Sequence, residues 1–157
     1  MNEGTEWPTV LERNLAVVQR MADGISHEQS LIRPIDGGSS FNWLLGHMVV
    51  SRDRILGLLG GQALAAPEVL ERYPRGSHPP GRDDAVPFEQ LLELFAAQGA
   101  ALEAAIANVD AATLAAARAT GSSSVGEFVG FLVWHEAYHA GQAVLYRRGA
   151  GLDSPIG

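Results

Sequence analysis

Three of the five histidines stand inside apolar stretches that read as helix: His47 in FNWLLGHMVV, and His135 and His139 in FLVWHEAYHA. An imidazole can be a metal ligand, a general base or a hydrogen-bonded core group, and spacing helps to separate those roles. A helix turns about 100° per residue, so positions four apart differ by roughly 40° around the axis and sit one above the other. His135 and His139 therefore make a two-nitrogen clamp, although the same spacing also arises by chance. Phe128, Phe131 and Gln142 share their face. That face is expected to point into a helical core, where a polar group without a partner costs on the order of 1–3 kcal/mol. His47 lies on a stripe with Trp43, Leu44, Val50 and Ser51 and is expected inward too. Taken alone it reads as a hydrogen-bonded core residue. If its helix neighbours that of the pair at about 8–10 Å, it can reach an ion held by the other two. Three neutral imidazoles on a divalent ion leave positions for water or substrate, the pattern of catalytic rather than closed structural sites. His27 and His78 lie in polar or turn-rich surroundings and read as surface residues.

The string His135-Glu136-Ala137-Tyr138-His139 also matches H-E-x-x-H, in which the glutamate is the general base of a metalloprotease. Those enzymes take a third ligand downstream, whereas after His139 the chain has no histidine or glutamate, only Asp153. The protease reading is therefore set aside, and a third histidine must come from upstream. At about 100° from His135 around the helix, Glu136 is expected to face solvent or a neighbouring helix.

Composition removes several other chemistries. There is no cysteine, hence no disulfide, thiolate ligand or thiol nucleophile; all 11 basic residues are arginine, hence no Schiff base or amine general base. Histidine and carboxylate are the strong metal ligands that remain. The net charge of −7 and the absence of an arginine stripe argue against a nucleic-acid partner. MNEGTEWPTV is acidic and lacks an apolar stretch, unlike a signal peptide, and apolar runs such as 125–134 are shorter than the ~20 residues of a membrane span. No membrane partner and a cytoplasmic location are expected. With 157 residues, 46% hydrophobic and 18% charged, a single folded domain over 1–157 is expected.

The elements that would position the histidines are helices. Leu11, Leu15, Val18 and Ala22 mark the first, from about Thr9 to Ala22, and Asp23-Gly24 stops it. Ser26 to Gln29 has the pattern of a small capped helix, and Pro34 and Gly37-Gly38 break the chain. Ser39 or Ser40 caps a second long helix that runs to about Leu59 before Gly60-Gly61. Residues 60–86 hold four prolines and four glycines and form the longest connection, of a kind that is either functional or poorly ordered. Pro87 opens a third long helix marked by Phe88, Leu91, Leu92, Phe95, Leu102 and Ile106, and residues 110–120 leave room for a further short turn. Ser124 and Glu127 stand at capping-box spacing before the fourth, which Arg147-Arg148-Gly149 ends. No strand pattern or internal repeat is evident. The expected fold is all-α, a four-helix bundle, with a crossover permitted by the long connection between helices two and three.

Ser40-Phe-Asn-Trp43-Leu-Leu-Gly-His47, followed far downstream by His135-Glu-Ala-Tyr-His139-Ala-Gly-Gln142, resembles the DinB-like superfamily of bacterial proteins over nearly the whole chain. The resemblance implies a four-helix bundle with a crossover, often dimeric, whose three histidines hold zinc, nickel or a similar ion. By matching positions, the ligands fall on His47, His135 and His139. Some characterised relatives are metal-dependent thiol S-transferases or isomerases that use bacillithiol or mycothiol, and the resemblance implies a similar small-molecule activity here. A cysteine-free protein with an open metal site could bind an external thiol, lower its pKa and present the thiolate to an electrophile. Arg54, Arg72 and Arg82 are then candidates for holding a carboxylate of that thiol, or are plain solvated arginines. Two alternatives stand beside this: a metal-dependent hydrolase, and a metal-binding or dimeric stress protein without turnover. Ala96, Ala97, Ala100, Ala101, Ala104 and Ala105 offer a smooth face for a homodimer, or only reflect helix propensity at an exposed surface.

Overall fold

The structure, a computed structural model, describes residues 6–156. Residues 1–5, on which part of the leader-peptide reading rests, lie outside the described residues. Four long helices, α1 (Trp7–Ala22), α3 (Phe41–Leu58), α5 (Phe88–Asn108) and α7 (Val125–Gly149), are accompanied by three short ones, α2 (His27–Ser30), α4 (Pro67–Arg72) and α6 (Ala111–Ala115). The chain is all-helical, as its periodicity requires. Local chemistry sets the boundaries. Ser26 with Gln29, and Ser124 with Glu127, form reciprocal capping boxes, and the Ser40 hydroxyl accepts from the Trp43 amide. The Asp110 carboxylate caps α6 by accepting from the Thr113 amide, within the 110–120 stretch left open above.

The long helices close a ring in which α1 packs on α7 and α5, and α3 packs on α5 and α7. Side-chain meetings give the directions. Phe41 meets Phe88 at 5.0 Å near the start of both helices, and Arg52 reaches the Phe95 carbonyl at mid-length, so α3 and α5 run parallel. Phe41 also meets Tyr146 at 5.8 Å, which makes α7 antiparallel to α3. Parallel neighbours demand a connection that returns the length of α3, roughly 27 Å at 1.5 Å per residue. Residues 59–87 provide it, and this is the crossover.

That connection is anchored and not loose. The Asp53 carboxylate accepts from the Leu64 and Ala65 amides, and Ala65, Val69 and Tyr73 are buried in the core. Tyr73 lies flat against Gly46, where a Cβ would come within 2.4 Å of its ring. The Tyr73 hydroxyl donates to Asn42 at 2.8 Å and accepts from the Val86 amide at 2.9 Å. Of the two expectations for 60–86, functional or poorly ordered, the second is not met, because buried polar partners anchor the segment.

At the centre of the ring a single guanidinium bonds to three other helices. Arg52 on α3 is fully buried and donates to both Glu136 oxygens on α7 at 2.8 and 2.9 Å, to the Phe95 carbonyl on α5 at 2.7 Å and to the Leu11 carbonyl on α1 at 3.1 Å. Asn14 on α1 donates to Glu136 at 3.2 Å. A buried charge survives when it is paired and hydrogen-bonded, and here every nitrogen of the guanidinium and both carboxylate oxygens have a partner. Among the described residues, no helix is long and apolar enough to cross a membrane.

Candidate metal centre

Antiparallel packing of α3 on α7 brings His47 opposite the clamp of His135 and His139. One ring nitrogen from each of the three lies within 4.8 Å of the others. Ring centroids are 5.4 Å apart for His47 and His135, 5.2 Å for His47 and His139, and 4.3 Å for His135 and His139. The Nε2 atoms of His135 and His139 are 3.0 Å apart.

The outer nitrogens explain how the rings are aimed. His47 Nδ1 donates to the Tyr73 carbonyl at 3.1 Å, which leaves its Nε2 as a lone-pair donor. His139 Nδ1 donates to Gln142 Oε1 at 2.7 Å, with the same result. These are the outer-shell contacts that metal-ligating histidines ordinarily make. Among the described residues, His135 Nδ1 is buried without a partner. Its proton is therefore best placed on Nε2, donating to the His139 lone pair; His47, His135 and His139 are the residues that would hold an ion.

All three imidazoles are held below the usual histidine range, chiefly because burial disfavours the charged form. His135 falls to about 4, with the charges of His139, His47 and Arg75 adding to the effect of burial. Neutral rings are the metal-ligating form at physiological pH. The donor set suits a divalent ion: three imidazole nitrogens, two with outer-shell partners, and no thiolate.

Aromatic rings line the rim. Trp43 stacks on His47 at 4.9 Å and 5°, and its indole nitrogen donates to Ser77 Oγ at 2.9 Å. Phe131 stacks against His135 at 5.8 Å, and Tyr138 stands edge-on to His139 at 5.4 Å. The expected inward face of α7 is thus only partly inward. His135 and His139 are half-buried and Phe131 is 48% exposed, because Glu136, Ala140 and Ala143 are the residues turned to the core.

The histidines singled out by spacing are the ones that meet. His78 is exposed, and half-buried His27 accepts from the Phe88 amide away from the centre. A groove of about 770 Å³ between α1, α2 and the start of α5 includes none of the three. Arg54, Arg72 and Arg82 are engaged elsewhere, over the Phe128 ring, with Asp84 and with Glu28. Glu136 faces the neighbouring helix, as one of its two expected placements allowed, and its ion pair with Arg52 removes it from the role of general base. Tyr73, Arg75 and Arg52 were not singled out from the sequence. The charged run Arg52-Asp53-Arg54 inside a helix of mainly apolar residues was the available signal, since such residues are fully buried only when paired.

The family model described as the DinB superfamily matches residues 10–143, a span that takes in all three histidines. No curated protein matches the chain.

Proposed function

From the fact that this chain belongs to the DinB superfamily, we propose that it binds one divalent ion, zinc or nickel, through His47, His135 and His139, and is a thiol S-transferase acting with a low-molecular-weight thiol such as bacillithiol. The observation that carries this reading is the convergence of three neutral imidazoles at a half-exposed rim in a chain without a cysteine or lysine nucleophile. A divalent ion bound there would supply Lewis acidity that favours the thiolate of an incoming thiol near neutral pH. The chain's own residues do the rest. The Tyr73 carbonyl and Gln142 fix two of the imidazoles, and Trp43 backs His47 against rotation. In the transfer the thiol sulfur forms a bond to the electrophilic carbon, the leaving group departs with the bonding pair, and the thiol proton passes to solvent.

Hydrolysis is the weaker reading because it calls for a base near the attacking water. The carboxylate closest in sequence, Glu136, is locked to Arg52 in the core. The deciding experiment incubates the metal-loaded protein with bacillithiol and monochlorobimane, against a panel of esters and amides. Thioether formation that needs the ion and disappears in His135→Ala supports transfer. Ester or amide cleavage with no thioether overturns it.

A further inference from the structure

The turn that holds His47 also carries an unused cation. Residues 74–77 close a turn in which the Ser77 amide donates to the Pro74 carbonyl at 3.0 Å, with Gly76 at φ 84°. A left-handed residue at that place suits glycine and leaves Arg75 at the tip of the turn. Both flanks are tied to the centre: the Tyr73 carbonyl to His47, and Ser77 to the Trp43 indole stacked on His47. Arg75 is exposed and, among the described residues, has no acidic partner at ion-pair distance. The turn therefore sets Arg75 between two residues that touch the centre, Tyr73 and Ser77.

On α7, beside His135 and His139, the centre is bordered by rings instead of charge. Phe131, Trp134 and Tyr138 are 48%, 60% and 56% exposed. They form a continuous path from His135 to His139, Phe131 lying 5.8 Å from Trp134 and Trp134 6.2 Å from Tyr138. Large rings left open beside a reactive centre are binding surface.

We propose that Arg75 and the Phe131, Trp134 and Tyr138 rings form one substrate subsite, in which the guanidinium holds a carboxylate and the rings hold a flat apolar group of the same small molecule. This rests on the triad being the reactive centre and assigns its substrate class: an aromatic or otherwise flat carboxylic acid. The guanidinium fork matches a carboxylate, and ring faces accept planar groups with little ordering cost.

The test uses the zinc-loaded full chain and calorimetric titration with four probes: 2-mercapto-3-phenylpropanoate, 2-phenylethanethiol, mercaptoacetate and thiol-free 3-phenylpropanoate. Arg75→Met should weaken both phenyl acids about tenfold, a typical loss for one charged hydrogen-bonded pair, and leave 2-phenylethanethiol unchanged. Trp134→Ala should weaken the three phenyl probes and spare mercaptoacetate. If Arg75→Met leaves the preference for acids unaltered, or no acid binds at millimolar concentration, the subsite is refuted while the metal and thiol reading stands. If 3-phenylpropanoate binds through Arg75 but 2-mercapto-3-phenylpropanoate binds no better, the subsite stands and the thiol reading fails. Should Trp134→Ala instead dissociate a dimer without affecting any probe, the strip is a contact between copies and the subsite is again refuted.

Discussion

Arg52 and Glu136 form a two-point ion pair, 2.8 and 2.9 Å, between the two helices that carry the histidines. Glu136 is the next residue after His135, so the contact that closes the core also sets the rotation of α7 relative to His47. Breaking one side leaves an uncompensated buried charge. Glu136→Ala is expected to lower unfolding free energy by about 3–5 kcal/mol, whereas Arg52→Met with Glu136→Leu recovers most of that loss. Urea denaturation of the single and double variants checks this, and equal destabilisation in both would refute it.

Metal content follows from the ligand count. Elemental analysis should find about one divalent ion per chain, and almost none in His47→Ala or His135→Ala, since two imidazoles hold zinc or nickel weakly. Full occupancy in both variants would rule out the triad.

Gly46 is required for close approach. In Gly46→Ala the new methyl meets the Tyr73 ring and pushes the connection off α3, at a cost of about 1–3 kcal/mol. Because the Tyr73 carbonyl aims His47, zinc affinity should fall along with stability. A competition titration against a chromophoric chelator measures the second effect; unchanged affinity would mean that the connection does not position His47.

The pH dependence has a definite sign. The folded chain disfavours charged imidazole, so the unfolded chain binds more protons between the ordinary histidine value of 6.5 and about 4 for His135. Metal-free stability should be complete above that window, decline as pH drops through it, and level off below. Thermal melts of the apoprotein should show this slope, and His135→Gln should flatten it. An unperturbed triad would lose its ion below about pH 6; burial should carry retention to more acidic pH. A metal-dependent rise in melting temperature that vanishes at pH 6 would contradict this.

Assembly as a homodimer is expected through the alanine face of α5, where Ala97, Ala100 and Ala104 are exposed. Sedimentation equilibrium at micromolar concentration should give a dimer that Ala100→Glu disrupts. A 16.7 kDa species alone refutes it.

The helices and the histidine cluster were legible for one reason: each is written in local spacing. Ser124 and Glu127 announce a capping box, and His135 and His139 fall on one face wherever the helix packs. Contacts without a local signature were not legible. Nothing within a few residues of Tyr73 says that its carbonyl will meet His47, and the direction of α5 depends on a return path set by Asp53 and the Leu64 and Ala65 amides. Glu136 shows the limit from another side. Helical angle left it two placements, and only the buried guanidinium on α3 decides between them.

The crossover also orders events in time. His47 is aimed by a carbonyl in a segment made after α3, and the other two histidines lie on α7, which is made later than α1, α3 and α5. A nascent chain that has not released α7 holds one of the three imidazoles and cannot retain an ion. If the triad holds an ion as proposed, loading follows completion of the ring and not the emergence of α3. The ion that the proposed site would take is then set by the metals available to the folded chain.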